Sequence, residues 1–359
     1  MAGLETLRLS LRDPFVIARS PHGRGRGVTT VIVELRDSSD GSDGPCAIGE
    51  GFPDAYYGET PATMSAVVPL LLDAVQPLAA DLRGSRDGAR AALDEAGRRM
   101  AAAIGGHGAA KCALDTALHD LVGRRLGLPV HELIGVEGEV PPTDFTLGID
   151  APEAVAARAR RAAGFPALKV KVGGPADVAT LEAVRSVFDG PIRVDANTGW
   201  TPDGALALLP DLVRLGVELV EQPFPARRLD QLRWLQERSP LPIVADESAV
   251  TIEDLDALVG VVAGVNVKLA KCGGIGPARR MLVRARELGM RTFLGCMEET
   301  SVGIAASAVV APLADWVDLD GCLLLADDPF TGLDLGPDMR WRRSGAPGLG
   351  LTRRAVAGS

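Results

Sequence analysis

The spacing of apolar and polar residues changes partway along the chain, and the change predicts two kinds of structure. Before about residue 125, alternating segments predict an antiparallel meander, followed by longer segments with the spacing of amphipathic helices. The predicted strands are 4–10, 28–36 and 46–52, with a polar turn at 37–44, and the predicted helices are 61–82, 88–100 and 109–127. This part of the chain therefore predicts a small α+β domain.

After about residue 140, short apolar segments alternate with helical ones. The apolar segments are 143–149, 167–172, 192–197, 217–223, 242–248, 265–271, 292–299 and 316–321. Eight such segments alternating with helices predict an α/β fold, built as a parallel (β/α) barrel. A doubly wound open sheet is the alternative, but no G-x-G-x-x-G motif follows the first segment.

Most of these segments carry an ionisable residue near their C-terminal end. The residues are Lys171, Asp195, Glu221, Asp246, Lys268, Glu298 and Asp318, at intervals of 20 to 30 residues. That interval is close to one strand–helix unit, and the C-terminal strand ends of a barrel meet at one mouth, where active sites lie. The spacing therefore predicts that two lysines and several carboxylates surround one cavity.

Three of the carboxylates form a candidate metal site. Asp195, Glu221 and Asp246 lie on three consecutive predicted strands and offer hard oxygen ligands, which Mg²⁺ prefers. Zinc would prefer histidine or cysteine, and the four histidines lie outside the barrel-strand motifs. The sequence therefore predicts Mg²⁺ as the cofactor, with Mn²⁺ as an expected substitute.

Lysine is rare in this chain, and its few positions are informative. Of 38 basic residues only five are lysines, and four of these, Lys169, Lys171, Lys268 and Lys271, lie in two short apolar segments. Unlike arginine, lysine can lose its proton near neutral pH when its pKa is lowered. We expect Lys171 and Lys268 to transfer protons, with Lys169 beside Lys171 as an electrostatic partner that lowers its pKa. Lys271 is expected in the loop after the sixth strand. A structural role for it is at least as well supported as a role in proton transfer.

A lysine on each side of a metal-bound carboxylate suits one type of reaction. The proton on the carbon next to a carboxylate is very weakly acidic, and Mg²⁺ stabilises the enediolate that forms when the proton leaves. If one lysine removes a proton and the other returns one to the opposite face, the result is racemisation or epimerisation.

Composition and charge exclude several other classes of protein. The chain has 359 residues, of which 47% are apolar and 24% charged, so it is not a disordered chain. Its net charge of −9 argues against nucleic acid as a partner. Apolar runs such as 67–72 are far shorter than a bilayer span, and the N-terminal residues have no apolar signal region. Five widely spaced cysteines argue against a disulfide scaffold, so we expect a cytoplasmic protein without a membrane partner.

The order of several short motifs resembles a known family. The motifs are K-x-K at 169–171, VDAN at 194–197, EQP at 221–223, ADES at 245–248 and VNVKLAKCGG at 265–274. Together they resemble the enolase superfamily, muconate-lactonizing subgroup. The resemblance implies a modified, TIM-like (β/α)₇β barrel under an α+β capping domain. It implies a capping domain at 1–125, a barrel at 126–325 and a C-terminal segment at 326–359 that returns to the capping domain.

The last barrel strand narrows the resemblance to the dipeptide epimerases. Asp318-x-Asp320 resembles the D-x-D motif with which those enzymes hold the α-ammonium group of a dipeptide, and paired carboxylates suit a primary ammonium ion. The Ala-Glu epimerases of that family have an arginine in a loop near the N-terminus, where this chain has Arg24, with Arg19 and Arg26 close by. An arginine-lined pocket favours an acidic second side chain.

Two further residues complete the expected substrate-binding set. Glu298 stands where an apolar residue is common in the family and would favour a basic second side chain, so the sequence leaves the second residue of the dipeptide open. Thr146, on the first barrel strand, is the other expected substrate-binding residue.

The leading interpretation is a Mg²⁺-dependent dipeptide epimerase that inverts the α-carbon of the C-terminal residue. Its partner is a small-molecule dipeptide, and a homo-oligomer is consistent with the resemblance. The alternatives within the subgroup are an N-acylamino acid racemase, an o-succinylbenzoate synthase and a muconate cycloisomerase, none of which needs an ammonium clamp. A non-catalytic binding protein on a barrel scaffold is a more distant alternative.

Overall fold

The computed structural model describes residues 2–19, 27–36 and 46–354. Its first strands form an antiparallel sheet in the order β1-β2-β3, as the alternating segments predict. The strands are β1 (Ala2–Ser10), β2 (Gly27–Arg36) and β3 (Cys46–Gly51). The predicted turn at 37–44 lies outside the described residues.

Helices cover one face of this sheet. They are α1 (Pro61–Val75), α2 (Arg86–Ala103), α3 (Gly108–Leu126) and the short α4 (Val130–Ile134). Helix α1 begins where predicted, with Thr60 and Thr63 forming a capping box. The predicted helix over 61–82 is wrong after residue 75, where the chain forms two 3₁₀ turns. Pro77 lacks the N–H that a continuing helix needs, so the α-helix ends before it.

Helix α1 and the 3₁₀ turn that follows it form an apolar segment as long as a membrane span. Residues Pro61–Leu78 are long and apolar enough to cross a bilayer by length and composition alone. This segment joins several apolar runs across few charges, although each run by itself is far shorter than a bilayer span. Met64, Val68 and Leu71 of this helix pack in the core of the protein, as in a core helix.

Sheet and helix touch directly where β3 crosses α3. A Cβ at Gly49 would lie 2.0 Å from the Ala113 carbonyl oxygen, and one at Gly51 would lie 2.1 Å from the Ala109 carbonyl oxygen. The backbone of β3 therefore needs glycine at both positions to approach α3.

The second part of the described chain is a barrel, which confirms the predicted fold class. Eight strands form one parallel sheet in sequence order, and each of the first seven is followed by helix, which gives the (β/α)₇β arrangement. The strands are β4 (Phe145–Leu147), β5 (Leu168–Lys171), β6 (Ile192–Asp195), β7 (Val217–Glu221), β8 (Ile243–Ala245), β9 (Gly264–Lys268), β10 (Arg291–Gly295) and β11 (Trp316–Asp318). The helices are α5 (Pro152–Arg161), α6 (Asp177–Arg185), α7 (Pro202–Arg214), α8 (Leu229–Gln236), α9 (Leu255–Leu258), α10 (Leu269–Cys272), α11 (Ile275–Glu287), α12 (Ser301–Val310) and α13 (Gly321–Leu324).

The two edge strands, β4 and β11, face each other across the seam of the barrel. The Asp144 N–H donates to the Val317 carbonyl oxygen at 3.1 Å, and the Leu319 N–H donates to Thr143 Oγ1 at 2.8 Å. These bonds hold the two strands together although no regular ladder joins them.

The C-terminal part of the chain runs back over the N-terminal sheet and helices. Its short strands are β12 (Phe330–Thr331), β13 (Asp334–Leu335), β14 (Trp341–Arg342) and β15 (Thr352–Arg353). Arg353 forms an ion pair with Glu5 of β1, and the Leu349 N–H donates to Asp120 Oδ1 of α3 at 2.8 Å. Residues more than 200 positions apart are thus bonded to one another.

Candidate active site

Three consecutive strands bring three carboxylates to one point of the barrel mouth. Asp195 ends β6, Glu221 ends β7 beside it in register, and Asp246 follows β8 directly. One oxygen from each lies within 4.8 Å of the others, and all three side chains are fully buried. We call these residues the carboxylate triad.

The triad has the properties of a divalent cation site. Burial and the charge of Asp195 raise the pKa of Glu221 to about 8. Three adjacent buried anions repel one another, and a bound cation would offset this repulsion. Glu221 Oε2 accepts no hydrogen bond from the described residues, although Lys169 Nζ lies 2.9 Å away as an ion-pair partner. Three hard oxygen donors with no histidine or cysteine among them fit Mg²⁺.

Two lysines stand on opposite flanks of the triad. Lys171 ends β5 and donates to Asp195 Oδ2 at 2.6 Å, and Lys268 ends β9 and donates to Asp246 Oδ2 at 2.8 Å. The strand order puts β6, β7 and β8 between them. A small carboxylate bound at the triad would therefore have one amino group on each side.

Lys169 lies deeper in the barrel than Lys171. Its Nζ is 2.8 Å from Asp318 Oδ2, 2.9 Å from Glu221 Oε2 and 3.3 Å from Asp195 Oδ2. Burial alone would lower the pKa of Lys169, but these carboxylates outweigh burial and raise it well above its ordinary value. Lys169 is therefore a fixed positive charge.

The expectation that neighbouring cations lower lysine pKa values is not met at Lys169 or Lys268. The pKa of Lys268 is also raised: burial opposes the shift, and Asp246 causes it. Each of these two amino groups lies 2.8 Å from a carboxylate oxygen. A cation that takes up those carboxylate oxygens would reduce this effect.

Lys271 does not lie in a loop, as expected, but on α10 and in the interior. Its Nζ donates to Asp246 Oδ1 at 2.5 Å and to the carbonyl oxygens of Asp246, Ala249 and Asn266 at 2.6 to 2.9 Å. Lys271 thus holds one oxygen of a triad carboxylate, and Lys268 faces the other.

Sequence reasoning missed the amide side chains that support the triad. Asn266 Nδ2 donates to Glu221 Oε1 at 2.8 Å, and Gln222 Oε1 accepts from the Asp246 N–H at 2.8 Å. The Asn197 N–H donates to Asp195 Oδ1 at 2.9 Å. Asn197 and Gln222 have φ values of 39° and 34°, a left-handed conformation that is strained for these residues. Gln222 directly follows Glu221 in the EQP motif, and Asn197 lies two residues after Asp195 in the VDAN motif; these positions were the available signal.

The predicted ammonium clamp lies across the mouth from the triad. Thr146 joins its two members, because Thr146 Oγ1 donates to Asp318 Oδ1 at 3.0 Å and the Thr146 N–H donates to Asp320 Oδ2 at 2.6 Å. Lys169 holds the pKa of Asp318 well below its usual range against the effect of burial, whereas burial and the Asp318 charge raise the pKa of Asp320. Asp320 is therefore the member that lacks a cationic partner of its own among the described residues.

A cleft of about 50 Å³ opens onto these groups. Its lining includes Lys169, Lys171, Lys268, Asp318, Asp320, Thr146 and Glu298, so the structure brings these predicted residues together at one cavity. Phe15, Ile17 and Arg19, from the segment before residue 20, cover one side of it. Arg24 and Arg26, the other arginines expected near the substrate, lie outside the described residues.

Arg19 is paired with acidic side chains of the protein itself. Its guanidinium lies 3.3 Å from Glu247 Oε1 and 3.7 Å from Asp54 Oδ2, and it stacks on the Tyr56 ring at 4.4 Å. Two carboxylates thus offset its single charge. Glu298, which is buried, lines the same cleft.

Comparison with known proteins agrees with this architecture. The family described as "Mandelate racemase / muconate lactonizing enzyme, N-terminal domain" matches residues 8–135, and the family described as "Enolase C-terminal domain-like" matches residues 153–355. The chain therefore belongs to the mandelate racemase/muconate lactonizing enzyme family of the enolase superfamily.

Curated relatives and solved structures within this family are similar over long stretches. An L-Ala-D/L-Glu epimerase of Bacteroides thetaiotaomicron is 44% identical over 248 residues, which span 68% of this chain and 64% of that protein, slightly under two thirds of its length. An L-Ala-D/L-amino acid epimerase of Pedosphaera parvula is 36% identical over 97% of each chain. The structure of a dipeptide epimerase of Enterococcus faecalis, complexed with Mg and the dipeptide L-Leu-L-Tyr, has a TM-score of 0.86 and 31% identity and covers 98% of this chain and 99% of that one.

Proposed function

We propose that this protein is a Mg²⁺-dependent dipeptide epimerase that inverts the α-carbon of the C-terminal residue of a dipeptide. The observation that carries the proposal is that Lys171 and Lys268 flank a buried carboxylate triad, with Asp318 and Asp320 at the same cleft. Relatives named as epimerases of dipeptides support the same class of reaction.

The carboxylate triad would hold Mg²⁺. The bound cation supplies positive charge that stabilises the substrate carboxylate while the neighbouring carbon is deprotonated. The support of Asn266 and Lys271 keeps the triad oxygens converging on one point. Lys169 adds a permanent positive charge on the deep side of the site.

Proton transfer is assigned to the two flanking lysines. One lysine, as the neutral amine, takes the α-proton and becomes an ammonium, and the electron pair of the broken C–H bond remains with the substrate. The other lysine, as the ammonium, donates a proton to the opposite face of the same carbon and becomes the amine. By family resemblance, Lys171 acts on the L centre and Lys268 on the D centre. The two amino groups exchange protonation states in each turnover, so no proton is gained or lost overall.

Asp318 and Asp320 would bind the α-ammonium group of the dipeptide. Asp318 already faces Lys169, so the substrate ammonium supplies the positive charge that Asp320 lacks. Thr146 holds both carboxyl groups at the seam of the barrel. This pair separates the proposal from the N-acylamino acid racemases, whose substrates have no α-ammonium group.

The cleft does not favour a strict preference for an acidic second side chain. Arg19 is already paired with Glu247 and Asp54, so it is less available to an acidic side chain of the substrate. A neutral or basic side chain needs no such cationic partner. A panel of L-Ala-L-X dipeptides with acidic, apolar and basic X measures this preference directly.

The decisive experiment is α-proton exchange in D₂O, followed by mass spectrometry. Free dipeptides should incorporate deuterium at the C-terminal residue, and N-acetylated ones should react roughly tens- to thousands-fold more slowly, because the clamp then faces a neutral amide. Replacing Asp318 and Asp320 together by asparagine should reduce that preference. An enzyme that prefers N-acylated amino acids would contradict the proposal.

We also propose that the protein acts in the cytoplasm. All five cysteines lie in the described part of the chain and are free thiols, as is typical of a reducing compartment. Fractionation of the source cells tests this, and recovery of the activity in the membrane fraction would contradict it.

A further inference from the structure

A further buried aspartate lies directly below the proposed clamp. Asp144 immediately precedes β4, and its N–H bonds to Val317 across the seam of the barrel. It is two residues before Thr146, so both side chains are on the same side of the strand. Its carboxyl group is fully buried.

Only one of the two Asp144 oxygens has a hydrogen-bond donor. Oδ2 accepts from Arg193 Nη1 at 2.9 Å, and Arg193 Nε is shared with Glu218 at 2.8 Å. Oδ1 is buried, and no N–H or O–H group of the described residues donates to it. An ionised carboxylate would leave this oxygen without the hydrogen bond that buried polar atoms need.

The group next to Asp144 is the Asp318 carboxyl, within reach of a hydrogen bond. Asp318 accepts from Lys169 Nζ at 2.8 Å and from Thr146 Oγ1 at 3.0 Å, so its environment favours the anion. Two adjacent buried carboxyl groups cannot both be ionised at low energetic cost, so one of them holds a proton. Burial and the Asp318 charge raise the pKa of Asp144 well above its usual value, which identifies the holder.

We infer that Asp144 is a protonated positioning residue that donates a hydrogen bond from its carboxyl group to Asp318. Asp318 then has three donors, from Lys169, Thr146 and Asp144, which fix its orientation beneath the cleft. Arg193 keeps its bond to Asp144 Oδ2 in this state. The effect on substrate binding rests on the proposed function, whereas the protonation state of Asp144 does not.

Infrared spectroscopy of the protein in its resting state tests the protonation without any substrate. The difference spectrum between wild type and Asp144→Asn at neutral pH should contain the C=O stretch of one carboxylic acid, and this band should shift in D₂O. Glu299 and Asp320 also have raised pKa values and contribute to both spectra, so they cancel in the difference. If the difference contains the bands of a carboxylate instead, the inference is wrong.

Asp120→Asn is the matched control. Asp120 is equally buried, but both of its oxygens accept from N–H groups: Oδ1 from Leu349, and Oδ2 from Ile48 and Arg124. Burial raises the pKa of Asp120, but Arg124 and the two N–H donors oppose the shift and stabilise the anion. Its replacement should therefore remove carboxylate bands rather than a carboxylic acid band.

Kinetics then test the positioning role. Asp144→Ala should raise KM for a free dipeptide about tenfold or more, with a smaller change in kcat, because Asp318 loses a donor. Asp144→Asn keeps a neutral donor of the same shape and should recover most of that loss. If asparagine is as harmful as alanine in folded protein, an ionised Asp144 is required and the inference fails. A wild type that performs no exchange on any dipeptide would overturn the proposed function but leave the infrared result intact.

Discussion

Each carboxylate of the triad is held by a different pair of neighbours. Lys171 and the Asn197 N–H hold Asp195, Lys169 and Asn266 hold Glu221, and Lys268 and Lys271 hold Asp246. The lysines that contact Asp195 and Asp246 differ in their access to the cleft. Lys271 makes four hydrogen bonds in the interior, whereas Lys171 and Lys268 line the cleft.

Replacing either cleft lysine by arginine should separate the two halves of the reaction. Lys171→Arg and Lys268→Arg keep the positive charge but remove an amine that can act as a base, so epimerisation should fall by about 10²–10⁴-fold. Each variant should still exchange the α-proton of the one diastereomer that faces the remaining lysine. Exchange in D₂O with each pure diastereomer measures this, and full epimerisation by Lys268→Arg would contradict the two-base mechanism.

Glu299 should make stability depend on pH. Burial and the charge of Glu50 raise its pKa to about 8 in the folded protein, from an ordinary value of 4.5. Between these two pH values the unfolded chain has released the proton that the folded protein still holds. The contribution of Glu299 to stability is therefore complete below about pH 4.5 and is lost as the pH rises to about 8, at up to about 1.4 kcal/mol per pH unit.

The variant Glu299→Gln should remove this dependence, because glutamine is neutral throughout. Its free energy of unfolding relative to wild type should therefore increase between about pH 5 and pH 8 in urea titrations. Glu50→Gln is a companion variant: it removes the charge that helps to raise the pKa of Glu299, together with the acceptor for Thr300 N–H, Thr300 Oγ1 and Gly303 N–H. Glu50→Gln should destabilise the protein and weaken the pH dependence that Glu299 causes. A constant difference between Glu299→Gln and wild type would show that Glu299 is ionised in the folded state.

At the scale of elements, the residue at the end of one barrel strand limits the space available to side chains on the neighbouring strands. Strand β10 ends in Gly295, which pairs in register with Lys268 on one side and Asp318 on the other. A Cβ at this position would lie 2.7 Å from Asn266 Oδ1 and 3.1 Å from Lys268 Cε. The missing side chain thus leaves room for the Lys268 amino group and for the amide that supports Glu221.

Gly295→Ala should therefore impair catalysis more than folding. The added methyl group displaces Lys268 and Asn266, so we expect kcat to fall about tenfold or more, since a displacement of 1 Å can cost about 10²-fold. The control is Gly3→Ala, in strand β1, where the nearest neighbour is an ordinary 3.8 Å away. Steady-state kinetics with thermal melts compare the two, and an unimpaired Gly295→Ala enzyme would contradict the close packing around Lys268.

The prediction of elements from the sequence was accurate for the short barrel strands and less accurate at the points where one element ends and the next begins. All eight barrel segments overlap the observed strands, and six contain them in full, while β9 and β10 each begin one residue before the predicted segment. The segment at 265–271 was too long, because Lys268 ends the strand and α10 follows at once. Apolar side chains continue through both elements, so the pattern alone does not mark that boundary.

At the scale of the whole molecule, the site is assembled from both parts of the chain. The triad and lysines come from the barrel, whereas Phe15, Arg19 and Asp54 come from the N-terminal part and close one side of the cleft. Glu50 of β3 also caps the start of α12, directly after the segment that carries Glu298. Binding of a cation at the triad should therefore raise the stability of the whole fold.

Mg²⁺ should raise the thermal stability as well as restore activity. A ligand that binds only the folded state at a concentration a hundredfold above its Kd adds about 2.7 kcal/mol to the free energy of unfolding. Wild type treated with EDTA should melt at a lower temperature and lose exchange activity, and Mg²⁺ or Mn²⁺ should restore both. Asp195→Asn should lose the shift in melting temperature, whereas the exposed Asp230→Asn should keep it. A rate that is unaffected by chelation would contradict the role of the triad.

The sequence by itself determined the order of strands and helices and the residues that meet at the barrel mouth. The physical reason is that strand ends in a parallel barrel all face one side, so regular spacing along the chain becomes proximity in space. Only the tertiary structure decided which lysine faces which carboxylate, that Lys271 supports Asp246 from the interior, and that Arg19 is offset by two acids. Asp144 and Asp318 are 174 positions apart in the sequence, and their shared environment raises one pKa and lowers the other. Such effects depend on distances of a few ångströms between remote segments, which no pattern along the chain contains.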